Sequence, residues 1–444
     1  MSEKKELLRS IFKIALPTWG AFFTKDLLGI VDMYYVSSLG AESIAAVSLS
    51  GIIMGLIFMV GMGINSGTMA LVSQSLGARD SESALKTSTQ SILLALITGI
   101  CIAFICIPNS IHILNFVGGE GNVAKLGAQY ISILLFGAIF LLIILSLETS
   151  MQSHKDSMTP FKSMMTANIV NIILDPILIY GLLGAPALGV AGSAWATLTG
   201  QLTGLSVMLY SVFFGKNKKR VFALKYLKPD KSIIKKIWKI GIFSSGKMLV
   251  MNLHGIFLMK LVSTFGTVAI AAFGIGLRLR ILIFGPSMGF GVAASVLVGH
   301  NIGAKLYSNA IKAIKKCVEI IAVIAFVFSV GFFVFAEKIL SIFTQDLIVI
   351  SEGTTFLRWF SISFVFMATG IVMNRAMDGA GYTKIPMWLN IVTLFLIGIP
   401  AAYILAATSL GLKGIWISIT LSNVILALSL AVDIRRKKWL NSKQ

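Results

Sequence analysis

Residues 11–20 read IFKIALPTWG, and 226 positions further on residues 237–246 read IWKIGIFSSG. The same shift lays VSSLGAESIAAV (36–47) over VSTFGTVAIAAF (262–273) and LIFMVGMG (56–63) over LIFGPSMG (282–289). It also lays LVSQSLGA (71–78) over LVGHNIGA (297–304). Between 11–86 and 237–312, 25 of 76 positions are identical without a gap. Glycines coincide at 20/246, 29/255, 40/266, 63/289 and 77/303, a register that shared apolar composition does not produce. A weaker echo follows, with TPFKSMM (159–165) over IPMWLNI (385–391). After a four-residue gap, GVAGSAWAT (189–197) lies over GLKGIWISI (411–419). The chain is a duplication.

What is duplicated is a membrane unit. The 444 residues are 56% hydrophobic and 13% charged, with a mean hydropathy of +0.88, too little polar surface for a water-soluble chain. Runs of about 20 apolar residues predict twelve spans near 12–37, 47–74, 87–107, 124–148, 162–182, 188–213, 237–262, 268–298, 310–335, 346–374, 385–407 and 412–433. Continuous apolar runs, rather than alternation every second residue, exclude a β-barrel. The basic N-terminus lacks a small-residue cleavage site and its apolar run continues past Lys25 and Asp26, so it reads as an uncleaved first helix. Cys101, Cys106 and Cys317 lie in or beside apolar helices, with no CxxC or Cys/His cluster, and read as packing residues.

The formal charge of +20 is distributed by topology. Of 38 Lys and Arg, 29 fall on the side of the N-terminus, ten of them in 214–239, and only Lys125, Lys338 and Lys413 fall in the opposite loops. That bias predicts a multi-pass protein with both termini in the cytoplasm. The basic linker lacks interleaved aromatics, so it suits lipid headgroups and not nucleic acid.

Six spans per repeat is an even number, so both halves enter the membrane from the same side. The expected fold is all-α: two six-helix bundles related by a pseudo-two-fold axis along the membrane normal. The lobes would be 1–213 and 237–444, with 214–236 as linker. Such halves around a central cavity suit alternating access, whereas a channel needs no halves. Walker A, G-x-S-x-G and HExxH motifs are absent. This disfavours ATP-driven transport and hydrolysis, and no cofactor is expected.

Residues 168–180, NIVNIILDPILIY, carry polar groups where a span should be apolar. Asn168, Asn171 and Asp175 follow i, i+3, i+7 and share one helix face. Asp32 lies eight residues before Gly40, and Asp175 six before Gly181. At ~1.5 Å per residue the two carboxylates reach a common depth. An ionised carboxylate at the bilayer centre costs about 2.5–3.5 kcal/mol, which marks both as candidate functional groups. Two close carboxylates with amide oxygens form a site for protons or for Na⁺. The alternative is polar glue between helices. Pro176 cannot donate to the carbonyl of Ile172, which frees the helix to bend beside Asp175 and makes it a candidate hinge.

Taken together, LPTWGAFFTKDLLGIVDMYYVSSLG in the first span, LVSQSLGA and LVGHNIGA, NIILDP in the fifth and GVAGSAWAT in the sixth resemble the multidrug and toxic compound extrusion (MATE) transporters. The resemblance runs from about Ile11 to Val432. It is closest to the DinF-like branch, with its archaeal members, of the MOP flippase superfamily. It implies a secondary antiporter of the cell membrane, monomeric, that exports amphipathic cationic small molecules in exchange for H⁺ or Na⁺. It implies an ion-coupling site at Asp32, Asn171, Asp175 and Thr197, with Ser193 as the alternative hydroxyl.

Lys25 departs from the family pattern, where a neutral polar residue is expected. It is left to pair with Asp32 or Asp26, or to line the cavity with Asn168, Lys247, His254 and Arg278. His254 is also readable as a packing residue, and Glu148 as a gate or a solvated helix end. Arg280 is the less favoured neighbour of Arg278, and Leu258 stands at the repeat position of Asp32, so the second lobe lacks the acid site. The basic residues Lys25, Lys247, Arg278 and Arg280 leave a second reading open: a flippase for a lipid-linked oligosaccharide or other anionic lipid.

Overall fold

The computed structural model describes residues 3–215, 217–218 and 220–441. Twelve long helices account for most of them, labelled here in chain order: α1 (Glu3–Ser37), α2 (Ala41–Gly77), α3 (Ser81–Cys106), α4 (Gly121–Ser153), α5 (Met158–Tyr180), α6 (Val190–Phe213), α7 (Lys231–Ser263), α8 (Thr267–Gly303), α9 (Tyr307–Val334), α10 (Leu347–Gly379), α11 (Lys384–Ala406) and α12 (Leu412–Arg435). The described residues contain no strand. Eleven of these helices are long and apolar enough to cross a membrane. The exception is α6, a full-length helix of 24 residues whose sequence is diluted by Gly, Ser and Thr. Two helices are irregular. α8 is broken after Leu279, and α11 contains a π-helical stretch at Val392–Gly398.

Tertiary contacts divide the chain into two units, Gly20–Gly241 and a second made of Met1–Trp19 with Ile242–Gln444. Both boundaries fall inside helices, so the first stretch of α1 belongs to the unit of α8–α12, and the first stretch of α7 to the unit of α2–α6. Glycine explains how each foreign stretch is held. A Cβ at Gly241 would sit 2.6 Å from the carbonyl oxygen of Gly63 in α2, and one at Gly289 in α8 would sit 2.6 Å from that of Ala15. Gly63 and Gly289 are repeat partners, as are Ala15 and Gly241. Small residues that let backbones approach are the usual means of packing helices where hydrocarbon removes the hydrophobic drive.

Within each unit the same neighbours recur. α2 and α3 pack on α4, and α5 on α6; six helices later, α8 and α9 pack on α10, and α11 on α12. The turns repeat as well. Gly40 (φ 100°, ψ 173°) and Gly266 (φ 93°, ψ −179°) open α2 and α8 in one conformation. Gly189 (φ 56°, ψ −131°) and Gly411 (φ 52°, ψ −128°) open α6 and α12 in another. The duplication legible in the sequence is therefore also a duplication of backbone. The cores are filled differently. The second unit centres on aromatics, with buried Trp416 4.3 Å from Phe356 and 5.6 Å from Phe273 between ring centroids. The first relies on aliphatic residues such as Leu114, Leu135 and Leu142.

Segment 214–236 is tied to the ends of α3–α5. Buried Gln90 donates to the carbonyls of Tyr226 (2.6 Å) and Lys228 (2.8 Å) and accepts from the amide of Asp230 (2.8 Å). Asp230 bridges to Lys86 at 2.6 Å, and the Lys86 ammonium holds its carboxyl below the ordinary value. α5 and α6 also pack closely. Gly192, Gly200 and Gly204 form a stripe on α6, and Ser163 of α5 donates to the carbonyl of Gly204 at 2.7 Å. A Cβ at Gly200 would meet the Ala167 carbonyl oxygen at 2.6 Å and Asn171 Cβ at 3.3 Å.

Gly200→Val should therefore force α5 and α6 apart and destabilise the protein by about 1–3 kcal/mol, the usual effect of overpacking. Gly51→Ala, at a position in α2 with nothing within 4 Å, should not lower stability. Melting temperatures of the two variants in detergent check the contrast; equal melting points would mean that the glycine stripe sets no helix distance.

Candidate functional site

The α5–α6 seam carries the polar face of α5. Asn168, Asn171 and Asp175 are all buried, Asp175 completely. Asn171 Nδ2 donates to Thr197 Oγ1 of α6 at 3.2 Å, and Asn168 Nδ2 donates to the Thr24 carbonyl of α1 at 2.9 Å. A second tie joins the far ends of the same helices. Tyr180 Oη of α5 lies 2.7 Å from Ser38 Oγ and donates to the Tyr35 carbonyl at 3.1 Å. Between these ties, the carboxyls of Asp32 and Asp175 lie within hydrogen-bonding reach of each other. α4 contributes Tyr130, buried and close to both carboxyls and to Ser193.

Both oxygens of Asp175, one of Asp32, Asn171 Oδ1 and Ser193 Oγ are buried without a hydrogen-bond partner among the described residues. Such groups are rare in native interiors and point to something that completes them. Two ionised carboxylates at this distance repel, and no described donor separates them. One proton shared between them removes the repulsion. A bound Na⁺ does the same, because it takes oxygen ligands and the site offers carboxylate, amide and hydroxyl oxygens from four helices. The described residues hold no cluster of three or more His, Cys, Asp or Glu that would suit a transition metal.

Of the four residues the resemblance implies, Asp32 lies within reach of Asp175 and Asn171 bonds Thr197. Ser193 joins them; Tyr130 was missed, because a tyrosine in an apolar helix carries no signal of what it faces. α5 continues through Pro176 to Tyr180, where Gly181 (φ 75°) ends it. Asn168 ties α5 to α1 and does not reach the carboxyl pair directly.

The basic candidates are distributed differently. Lys25 is exposed, with Nζ 3.8 Å above the Phe58 ring, and the carboxylates that act on it are Asp26 and Glu148. In the other unit, Lys247 is 5% exposed and its ammonium is bound to Asp378 of α10. Arg375 Nη1 lies 3.7 Å from that carboxylate, and Ser244 Oγ donates to it at 3.3 Å. Asp378 was missed because an acid at a helix end reads as solvated. The available signal was Lys247 itself, a cation in an apolar helix that needs an anion. His254 Nε2 is buried without a partner beside Gly398, in the π-helical stretch of α11. Arg278 and Arg280 are both exposed.

A family model described as MatE matches residues 17–177 and 244–404, one match in each repeat. The chain is 26% identical over 384 residues to the probable multidrug resistance protein YoeA of Bacillus subtilis (strain 168), covering 85% of this chain and 82% of that protein. It is 26% identical over 441 residues to the multidrug export protein MepA of Staphylococcus aureus (strain NCTC 8325 / PS 47), covering 96% and 93%. Among solved structures, an outward-facing conformation of a multidrug resistance MATE family transporter of the MOP superfamily superposes over the whole of both chains. Its TM-score is 0.91 at 25% identity.

The buried Lys247–Asp378 pair is expected to respond to removal of one partner more than of both. Breaking a buried ion pair typically costs about 3–5 kcal/mol, whereas replacing both members with apolar groups is often close to neutral. Asp378→Leu, which strands Lys247 beside Arg375, should therefore lower the melting temperature markedly. Lys247→Met with Asp378→Leu should recover most of the loss. An equal loss in the single and double variants would show that the pair is not energetically coupled.

Proposed function

The chain belongs to the MatE family of membrane transporters, and on that premise we propose that it is an efflux antiporter that exports amphipathic, cationic small molecules in exchange for H⁺ or Na⁺. It is a multi-pass membrane protein and a transporter, not an enzyme. The observation that carries the proposal is the buried cluster of oxygens around Asp32 and Asp175 that have no hydrogen-bond partner among the described residues. An ion that enters from outside neutralises this cluster. Because the carboxyls sit on α1 and α5, neutralisation removes the repulsion between those two helices and changes how they pack. The carbonyl of Ile172, left without a helical donor by Pro176, gives α5 a point at which to bend. Coupling requires that the ion and the substrate differ in affinity between the two states. A carboxylate pair that repels when empty and binds when filled supplies that difference. The proposal places the protein in the cell membrane as a monomer, with both termini cytoplasmic.

The alternative, a flippase for an anionic lipid, rested on intramembrane cations. Lys247 is paired with Asp378 and Lys25 is flanked by Asp26 and Glu148, which weakens that reading.

In proteoliposomes with an imposed pH or Na⁺ gradient, Asp32→Asn and Asp175→Asn should each lower substrate transport by roughly 5- to 150-fold, the range of a coupling free energy of about 1–3 kcal/mol. Both variants should remain folded, since an amide is close in size and neutral. Wild-type rates in both would reduce the pair to helix glue. Pro176→Ala restores a donor to Ile172 and should slow transport while ion binding, followed by calorimetry, persists. Normal transport across several substrates would move the switch elsewhere.

A further inference from the structure

At one end of α11 and α12, in the unit that lacks the carboxyl pair, a groove of about 410 Å³ opens on the protein surface. Its floor and walls are apolar, formed by Leu389 of α11 with Leu428 and Val432 of α12. Leu428 and Val432 are 57% and 48% exposed. Both helices are long and apolar enough to cross the bilayer, so this exposure faces acyl chains. The polar end of the groove is built by Ser429, Asp433 and Arg436.

Asp433 is the unexpected residue there. It is 8% exposed, and its Oδ2 is buried without a partner among the described residues. The Tyr382 hydroxyl reaches the carboxyl, and Arg436 acts on it from the next turn, yet neither satisfies Oδ2. A buried carboxylate oxygen that lines a groove calls for a donor, and a charged donor binds it most strongly. Arg436 is exposed at the groove's mouth, one helical turn from Asp433. The order of groups along the groove is therefore apolar wall, carboxylate, guanidinium. It complements an acyl chain, an ammonium and a phosphate.

We propose that this groove binds a phospholipid with a primary-amine headgroup. The acyl chain lies along Leu389, Leu428 and Val432, the ammonium donates to Asp433 Oδ2, and the phosphate pairs with Arg436. Charge complementarity selects this occupant. A choline headgroup carries positive charge but no N–H to donate. An anionic glycerol headgroup meets Arg436 favourably but places no cation against Asp433. A transported cation lacks the phosphate that Arg436 would hold. The site is distant in sequence from Asp32 and Asp175 and stands independently of the antiport reading.

The test is native mass spectrometry of the full-length protein released from nanodiscs that contain equal parts of phosphatidylethanolamine, phosphatidylcholine and phosphatidylglycerol. The expected result is one retained phosphatidylethanolamine, preferred by about tenfold over the other two, as for one charge-assisted hydrogen bond. Asp433→Asn should abolish the preference, and Arg436→Gln should lower retention of all three lipids. Equal retention of the three by the wild type would overturn the proposal, as would preference for phosphatidylglycerol or an unchanged preference in Asp433→Asn. The headgroup comparison on the wild type decides the matter even where a variant fails to fold.

Discussion

Hydrocarbon offers no hydrogen bonds, so every polar group within it must find its partner inside the protein. Most of this chain obeys that constraint locally. Serine and threonine hydroxyls return to the carbonyl four residues back, as Thr18 does to Ile14, Thr203 to Thr199 and Ser287 to Ile283. Polar side chains that cannot do so reach across helices, as Asn168 does to Thr24 and Lys247 to Asp378. Against this background the cluster around Asp32 and Asp175 stands out. Its oxygens come from several helices and lack a hydrogen-bond partner among the described residues.

The glycine register makes that convergence possible. The stripe on α6 brings α5 close enough for Asn171 to meet Thr197, and the ties from Asn168 and Tyr180 hold α1 beside α5 above and below the carboxyls. A site assembled in this way is held firmly at its ends and is electrostatically unsettled at its centre.

Duplication preserved the backbone while the chemistry of the two halves diverged. Turn glycines, neighbour relations and close approaches recur under the 226-residue shift. The buried charged groups do not. Leu258 stands where Asp32 stands in the first half, Lys247 where the first half has Ala21, and Asp378 where it has Gln152. One half thus retains a carboxyl pair without a cation, and the other a buried cation with its anion. Backbone packing is constrained by every neighbour, whereas a single buried side chain needs only one complementary partner.

The twelve helices, their duplication and the shared face of Asn168, Asn171 and Asp175 were determined by the sequence alone, because hydropathy and helical period are properties of neighbouring residues. The depth of Asp32 relative to Asp175 was also legible, since both could be counted from a glycine turn. Three things were decided only by tertiary structure. The first stretches of α1 and α7 pack within the unit of the opposite repeat, a fact of backbone approach at Gly63 and Gly289 that no periodicity encodes. The linker is fastened by Gln90, a residue that reads as an ordinary polar position on α3. Lys247 and Asp378, 131 residues apart, meet in the interior. In each case the deciding interaction joins groups distant in the chain, and sequence spacing fixes a residue's face on its own helix but not the neighbour that face will meet.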